Sequence, residues 1–541
     1  MTFLPNSAII KFISGRTIRL HPNNGGIHTM RECGILMPIS SLPGPGGIGC
    51  FGSDAYHFVD FLAKAGQTIW QILPLSPTGY GDSPYQSCSA FAGNPYFISL
   101  EALKKEGLLK AADLKGVFWG NDETQIDYGA IYNARFALLR KAFANWKAQC
   151  ANKNGCEQYL PDEYYAYVLK NQHWLPDYAM YMAIKAAYGM QPWNQWPAEL
   201  KLREADALKQ FADENADEVL FWQFIQFKFG QQWGELKAYA NAKGIKIMGD
   251  VPIYVSADSV DAWTGGKLFE LDEKGDFARV AGCPPDMFAA DGQLWGNPVY
   301  DWSYHEATGY AWWISRVRSA LEVYDMLRID HFRGFDTYWA IPAGAPTART
   351  GKWEQGPGMK LFNALEASLG KLPIVAEDLG ELFDSVRVLL KDSGFPGMKV
   401  LQFAFDSYDS EYLPHNCYKN FVVYPGTHDN TTLQDWLDTA DKKTLANVKR
   451  YLHLGKGDNA REAIIRAALA TASDWAIIPM YDWLGCGAEA HLNTPGRLGG
   501  NWAWRAAKGF DSAKLAKAIY TECETYCRVP VAPKKEEKAE A

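Results

Sequence analysis

Eight short apolar runs, each bounded by glycine, proline or an acid, constrain this chain more than any other feature. They are GILMPI (34–39), TIWQILPL (68–75), KIMGDVPI (246–253), YDMLRID (324–330), LPIVAED (372–378), MKVLQFA (398–404), NFVVYPGTHD (420–429) and WAIIPMYD (475–482). Their length and β-branched content predict strands. Between them lie stretches too long for hairpins, such as SDAYHFVDFLAKAG (53–66), where Phe58, Phe61 and Leu62 recur at helical spacing. Strand and helix in alternation call for a parallel sheet, and eight strands favour its closure into a (β/α)8 TIM barrel. The spacing is uneven, so large helical insertions are predicted between strands 2 and 3 and between strands 3 and 4. They form subdomains at about 80–243 and 256–320 of one barrel spanning 30–527.

Of the acids at or near the ends of these runs, four positions form the candidate set: Asp250, Asp330, Glu377 with Asp378, and Asp429. Strands of a parallel barrel all run the same way, so these ends converge on the rim where barrels carry chemistry. Any one acid could simply cap the next helix. Four on one rim, flanked by Arg328, His331 and His428, point to a shared site. Arg328 and Asp330 are two apart on a strand and emerge on one face. A guanidinium there lowers a carboxyl pKa by about 1–3 units, so Asp330 is expected to be ionised, as a nucleophile or charge stabiliser. Glu377 ends an apolar strand with no basic neighbour, which favours a raised pKa and proton donation. An asymmetric pair of carboxyls suits glycosidic bonds, whose leaving oxygen must be protonated while the anomeric carbon becomes cationic. The 20 Trp and 28 Tyr offer flat faces for sugar rings.

Other chemistries find less support. His331 and His428 stand singly, so no metal is expected, and no cofactor motif is visible: no P-loop, no G-x-G-x-x-G after a strand and no G-x-S-x-G elbow. A net charge of −8 gives nucleic acid no attraction. No run approaches 18 apolar residues, so a membrane span is not expected. The ten cysteines match no paired zinc spacing and read as reduced thiols. Residues 1–29 contain Lys11, Arg16 and Arg19 but no acid, and read as a leader or upstream extension outside the folded body. Residues 528–541, ending VAPKKEEKAEA, read as a charged tail without structure.

The stretches LPGPGGIG (42–49), PTGYGDSPYQSCSAFAGNPYFISL (77–100), GDVPIYVSADSVDAW (249–263), GCPPDMFAADGQLWGNPVYDW (282–302), LRIDHFRGF, AEDLG, GTHDN and LNTPG (492–496) together resemble the amylomaltase family. These are 4-α-glucanotransferases, or disproportionating enzymes, of the α-amylase superfamily, and the likeness spans roughly 31–505. It implies retaining transfer of α-1,4-glucan segments between maltooligosaccharides, amylose or other α-1,4-glucans, through a covalent glycosyl-enzyme and without a cofactor. It implies Asp330 as nucleophile, Glu377 as acid/base and Asp429 as the carboxylate that stabilises the transition state. Asp250, Arg328, His331 and His428 resemble residues gripping the sugar beside the cut bond. Tyr85 and Trp295 resemble aromatic platforms, Asn493 a substrate contact, and Tyr80 with Tyr128 a secondary glucan site. A monomer or small homo-oligomer in the cytoplasm is expected, or in a plastid if residues 1–29 are a transit peptide. The chain departs from the family pattern THDNDTT in reading THDNTT (427–432), one residue shorter. The segment 280–298, with Gly282, Pro284, Pro285, Gly292 and Gly296 around Phe288 and Trp295, has the composition of a loop that covers the cleft and favours a sugar hydroxyl over water. An α-glucan hydrolase on the same barrel and a non-catalytic glucan-binding protein are the alternatives. The second predicts loss of Asp330 or Glu377, and both are present.

Overall fold

The computed structural model describes residues 31–154, 160–285, 290–380, 382–497 and 499–530. Its strands in chain order are β1 (Glu32–Leu36), β2 (Ile69–Gln71), β3 (Lys246–Val251), β4 (Arg279–Cys283), β5 (Gln293–Pro298), β6 (Met326–Ile329), β7 (Thr337–Pro342), β8 (Lys352–Gln355), β9 (Ile374–Ala376), β10 (Gly397–Val400), β11 (Phe421–Tyr424) and β12 (Trp475–Pro479). Each of the eight apolar runs carries one of them. Those eight strands form a single parallel sheet in the order β10-β11-β12-β1-β2-β3-β6-β9. They are almost wholly buried, as strands covered on both faces must be.

The two ends of this sheet meet at a seam that is closed differently from the other junctions. Ala376 N–H donates to the Pro396 carbonyl at 2.8 Å, and Met398 N–H donates not to a backbone oxygen but to Asp378 Oδ1 at 2.6 Å. A carboxylate thus stands in for part of a strand ladder, one residue beyond Glu377.

Between β2 and β3 the chain is largely helical. Its longest buried element, Ala216–Ala242, turns Phe221, Trp222, Phe224, Ile225, Phe227 and Phe229 inward and packs on the helix Leu175–Ala187 and on β3. A helix apolar on most sides is one enclosed by its neighbours.

The second insertion is mixed rather than purely helical. It holds the helices Val260–Thr264, Trp302–Ala307 and Ala311–Val323, but also β4 and β5, which join β7 and β8 in an antiparallel sheet ordered β5-β4-β7-β8. Half of that sheet comes from the connection after β6. Its strands are short and interrupted by Gly and Pro, so no local pattern announces them.

Residues 528–530, expected to lack structure, are held in the fold. Arg528 is buried and donates to the carbonyls of Glu32, Leu469, Thr471 and Ser473, which anchors residues 528–530 to the start of β1. The extension 1–29 and the residues 531–541 lie outside the described residues, as does Phe288. No described helix is long and apolar enough to cross a membrane.

Candidate active site

The strand register builds the site. Asp250 pairs with Arg328 across β3 and β6, and the ladder runs on past both strands: Asp330 N–H donates to the Val251 carbonyl at 3.0 Å and Glu377 N–H to that of Ile329 at 3.1 Å. Both acids are therefore fixed to the rim through their own backbones. Residue 249 must be glycine for β3 to sit here, because a Cβ would come within 2.2 Å of the Tyr324 ring.

Arg328 is the hub. Its Nη1 donates to both oxygens of Asp250, at 2.8 and 2.6 Å, and to Asp330 Oδ1 at 3.1 Å, while Nη2 lies 3.8 Å from Glu377 Oε2. The guanidinium is 2% exposed and the Asp250 side chain not at all, whereas the carboxyls of Asp330 and Glu377 reach the cleft at 26% and 14%. His331 adopts left-handed backbone (φ 51°), which is uncommon for a residue with a Cβ and aims its N–H at Glu377 Oε2, 2.5 Å away.

Arg328 lowers Asp330 as expected, but burial outweighs it and the net shift is upward. Burial pushes Asp330 up to about 8, Arg328 pulls it down, and the nearby carboxyls of Glu377, Asp250 and Asp429 push it up again. The physical reason is that Asp250 takes the guanidinium at two short distances and leaves Asp330 one longer bond. Burial also raises Glu377, against Arg328 and the His331 N–H. Two carboxyls with raised affinities in one cup titrate as a pair, and the pair retains a proton near neutrality.

Asp429 has the opposite environment. Burial would raise it, but His428 Nε2 lies 3.2 Å from Oδ2 and Asn493 Nδ2 donates to Oδ1 at 2.6 Å, which together hold it well below the usual carboxylate range. Burial would lower His428; the Asp429 charge outweighs it and raises the imidazole. Burial drives His331 down to about 3, with Arg333 adding to the effect, so its imidazole is neutral.

Tyr85 joins the two halves of the rim: its hydroxyl donates to Asp250 Oδ2 at 2.8 Å, lies 2.9 Å from His428 Nε2, and its ring stacks on the imidazole at 5.3 Å. Trp295 stands edge-on to His331, ring centres 4.9 Å apart. Asp330, Glu377, Asp429, Asp250, Arg328, His331, His428, Tyr85, Trp295 and Asn493 thus share one rim. Tyr128 sits behind it, half-buried, its hydroxyl donating to the Trp502 carbonyl at 2.9 Å. Tyr80 opens the short 3₁₀ turn Tyr80–Asp82, and its side chain lies outside the described residues.

The sequence reading missed Trp502, which packs against both Tyr85 and His428 at 5.6 and 6.0 Å and completes that wall. Its only signal was its place six residues after the LNTPG stretch. The shortened loop after Asp429 is well closed. Thr427 donates through N and Oγ1 to Asn430 Oδ1 at 2.9 Å each, and Thr432 caps the helix Leu433–Thr439.

A family profile described as "4-alpha-glucanotransferase" matches residues 37–510, a span that includes every rim residue named above. A 4-alpha-glucanotransferase of Clostridium butyricum is 45% identical over 91% of this chain and 100% of its own length, and one of Streptococcus pneumoniae is 47% identical over 88% and 93%. The solved structure of amylomaltase from Streptococcus agalactiae in complex with acarbose superposes with a TM-score of 0.88 at 39% identity, covering 92% of this chain and all of that one. Strand order, rim chemistry and these likenesses agree: the chain belongs to the 4-alpha-glucanotransferase family.

Proposed function

We propose that this 4-α-glucanotransferase transfers α-1,4-glucan segments between maltooligosaccharides by retaining double displacement. Glu377 gives its proton to the glycosidic oxygen as Asp330 attacks the anomeric carbon, so one C–O bond breaks while an ester to Asp330 forms. The released chain leaves, and Glu377, now a carboxylate, takes the proton of an incoming sugar hydroxyl, which displaces Asp330. The reaction requires the pair's proton on Glu377; Arg328, 3.1 Å from Asp330 and 3.8 Å from Glu377, favours that placement, and the 2.5 Å bond from His331 N–H to Glu377 Oε2 opposes it. Asp429, kept ionised by His428 and Asn493, faces the cationic transition state. Asp250, Arg328, neutral His331 and His428 hold the sugar at the cut bond, Tyr85 and Trp295 flank it, and Tyr80 with Tyr128 mark a second glucan contact.

One observation carries this reading: a single buried guanidinium fronts Asp250, Asp330 and Glu377 at the same strand ends. Incubation of the pure protein with maltotriose is the test. A ladder of longer oligosaccharides plus glucose is expected. Glucose and maltose alone would reject transfer in favour of hydrolysis. The cytoplasm is the proposed compartment, and a monomer or small homo-oligomer the proposed state.

A further inference from the structure

The antiparallel pairing of β4 and β5 contains an irregularity with a consequence for Trp295. Val280 pairs with Pro298 and Gly282 with Leu294, so two steps on β4 face four on β5, and Trp295, Gly296 and Asn297 bulge from the ladder. Gly296 sits at φ 77°, a conformation that favours glycine. Bulges re-aim side chains, and this one turns Trp295 toward His331. It also leaves polar groups of the bulge without ladder partners, and they are met from another segment. Gln86 Nε2 donates to Asn297 Oδ1 at 3.0 Å and to the Trp295 carbonyl at 3.4 Å; Asn297, buried, returns Nδ2 to Gln86 Oε1 at 3.5 Å and donates to the Val255 carbonyl at 2.8 Å.

Gln86 directly follows Tyr85, whose hydroxyl joins Asp250 to His428. Its backbone is held in turn, because Gly79 packs so closely that a Cβ there would lie 2.0 Å from the Gln86 carbonyl oxygen. One amide pair therefore ties the Trp295 bulge to the Tyr85 segment across the mouth of the rim.

We infer that Gln86 and Asn297 are positioning residues that set the partition between sugar and water acceptors. Glycosyl-enzyme formation depends on Asp330, Glu377 and the groups around them. The choice of acceptor depends on how firmly the aromatic wall holds a second sugar against the anomeric carbon, and a loosened Trp295 admits water. This inference rests on the catalytic roles proposed above.

The test uses maltosyl fluoride as donor with maltose as acceptor, so that the two readings separate. Fluoride release reports attack by Asp330, and the ratio of longer oligosaccharides to free maltose formed from the donor reports partition. In Gln86→Ala and Asn297→Ala the transfer-to-hydrolysis ratio is expected to fall about threefold to tenfold, the range of one neutral hydrogen bond. Fluoride release should stay within about threefold of native. The double variant should lose no more than the worse single one, as expected for two halves of one contact. The exchanged variant Gln86→Asn with Asn297→Gln should recover part of the ratio. Should Asn297→Ala fail to fold, Gln86→Ala and the isosteric Gln86→Glu decide alone, since among the described residues the Gln86 side chain hydrogen-bonds only to Trp295 and Asn297. A ratio within about twofold of native in both Gln86 variants, or additive losses in the double variant, would overturn the inference. Absence of fluoride release from the native enzyme would instead overturn the catalytic roles.

Discussion

Arg328 and Asp250 form the tightest ion pair of the rim, one nitrogen bonded to both carboxylate oxygens at 2.8 and 2.6 Å, and this pair governs what remains for Asp330. A buried cation already satisfied by one acid can orient a second at 3.1 Å but neutralises it less. Burial, which this shared guanidinium offsets only in part, therefore raises the proton affinity of the nucleophile candidate, and Glu377 shares in it.

Asp330→Asn and Glu377→Gln should each lower kcat by at least about 10³-fold, the scale on which removing a nucleophile or an acid/base acts. Steady-state rates on maltotriose, with circular dichroism to verify folding, give the answer. Near-native turnover in either folded variant contradicts the assignment.

Arg328→Met removes a cation that lowers both members of the pair. Without it each carboxyl holds its proton more strongly, so both limbs of the kcat/KM profile should move to higher pH, by at least about one unit. Unmoved limbs in an active variant would show that Arg328 does not set the pair's charge.

Asp482, fully buried, accepts the Leu433 N–H at 2.7 Å, and burial pushes it up to about 7. Its folded pKa lies above the unfolded value, so it favours the folded state at low pH and loses that advantage as pH rises through about 7. The Asp330–Glu377 pair, raised chiefly by burial, acts in the same direction. Histidines lowered by burial, such as His305 at about 4 and His331 at about 3, act in the opposite sense but only below about 6.5, where unfolded histidine titrates. Stability should thus decline between pH 6.5 and 8.5, by about 1 kcal/mol from Asp482. Urea titrations across that range should show a shallower decline in Asp482→Asn.

The seam offers a structural test. Asp378→Ala leaves the buried Met398 N–H without an acceptor and should cost about 1–3 kcal/mol. Asp378→Asn, which keeps an oxygen in place, should cost less. Equal losses from both would mean that the carboxylate does not act as a strand surrogate.

Much of the site was legible because it is local. Arg328, Asp330 and His331 fall within one strand end, and alternation along a strand puts Arg328 and Asp330 on one face whatever surrounds them. Glu377 and Asp429 were readable for the same reason, as acids closing apolar runs.

The chain by itself determined the eight strands, their parallel order of use and the acids at their ends, since periodicity and strand direction are properties of consecutive residues. Tertiary structure alone decided which acid holds the guanidinium, because Asp250 is brought to Arg328 from another strand and its claim outranks that of the neighbour two residues away. It also decided the antiparallel sheet, the carboxylate at the seam and the Trp502 wall. Each of these is a contact between distant segments, and the burial that sets its strength exists only once they meet.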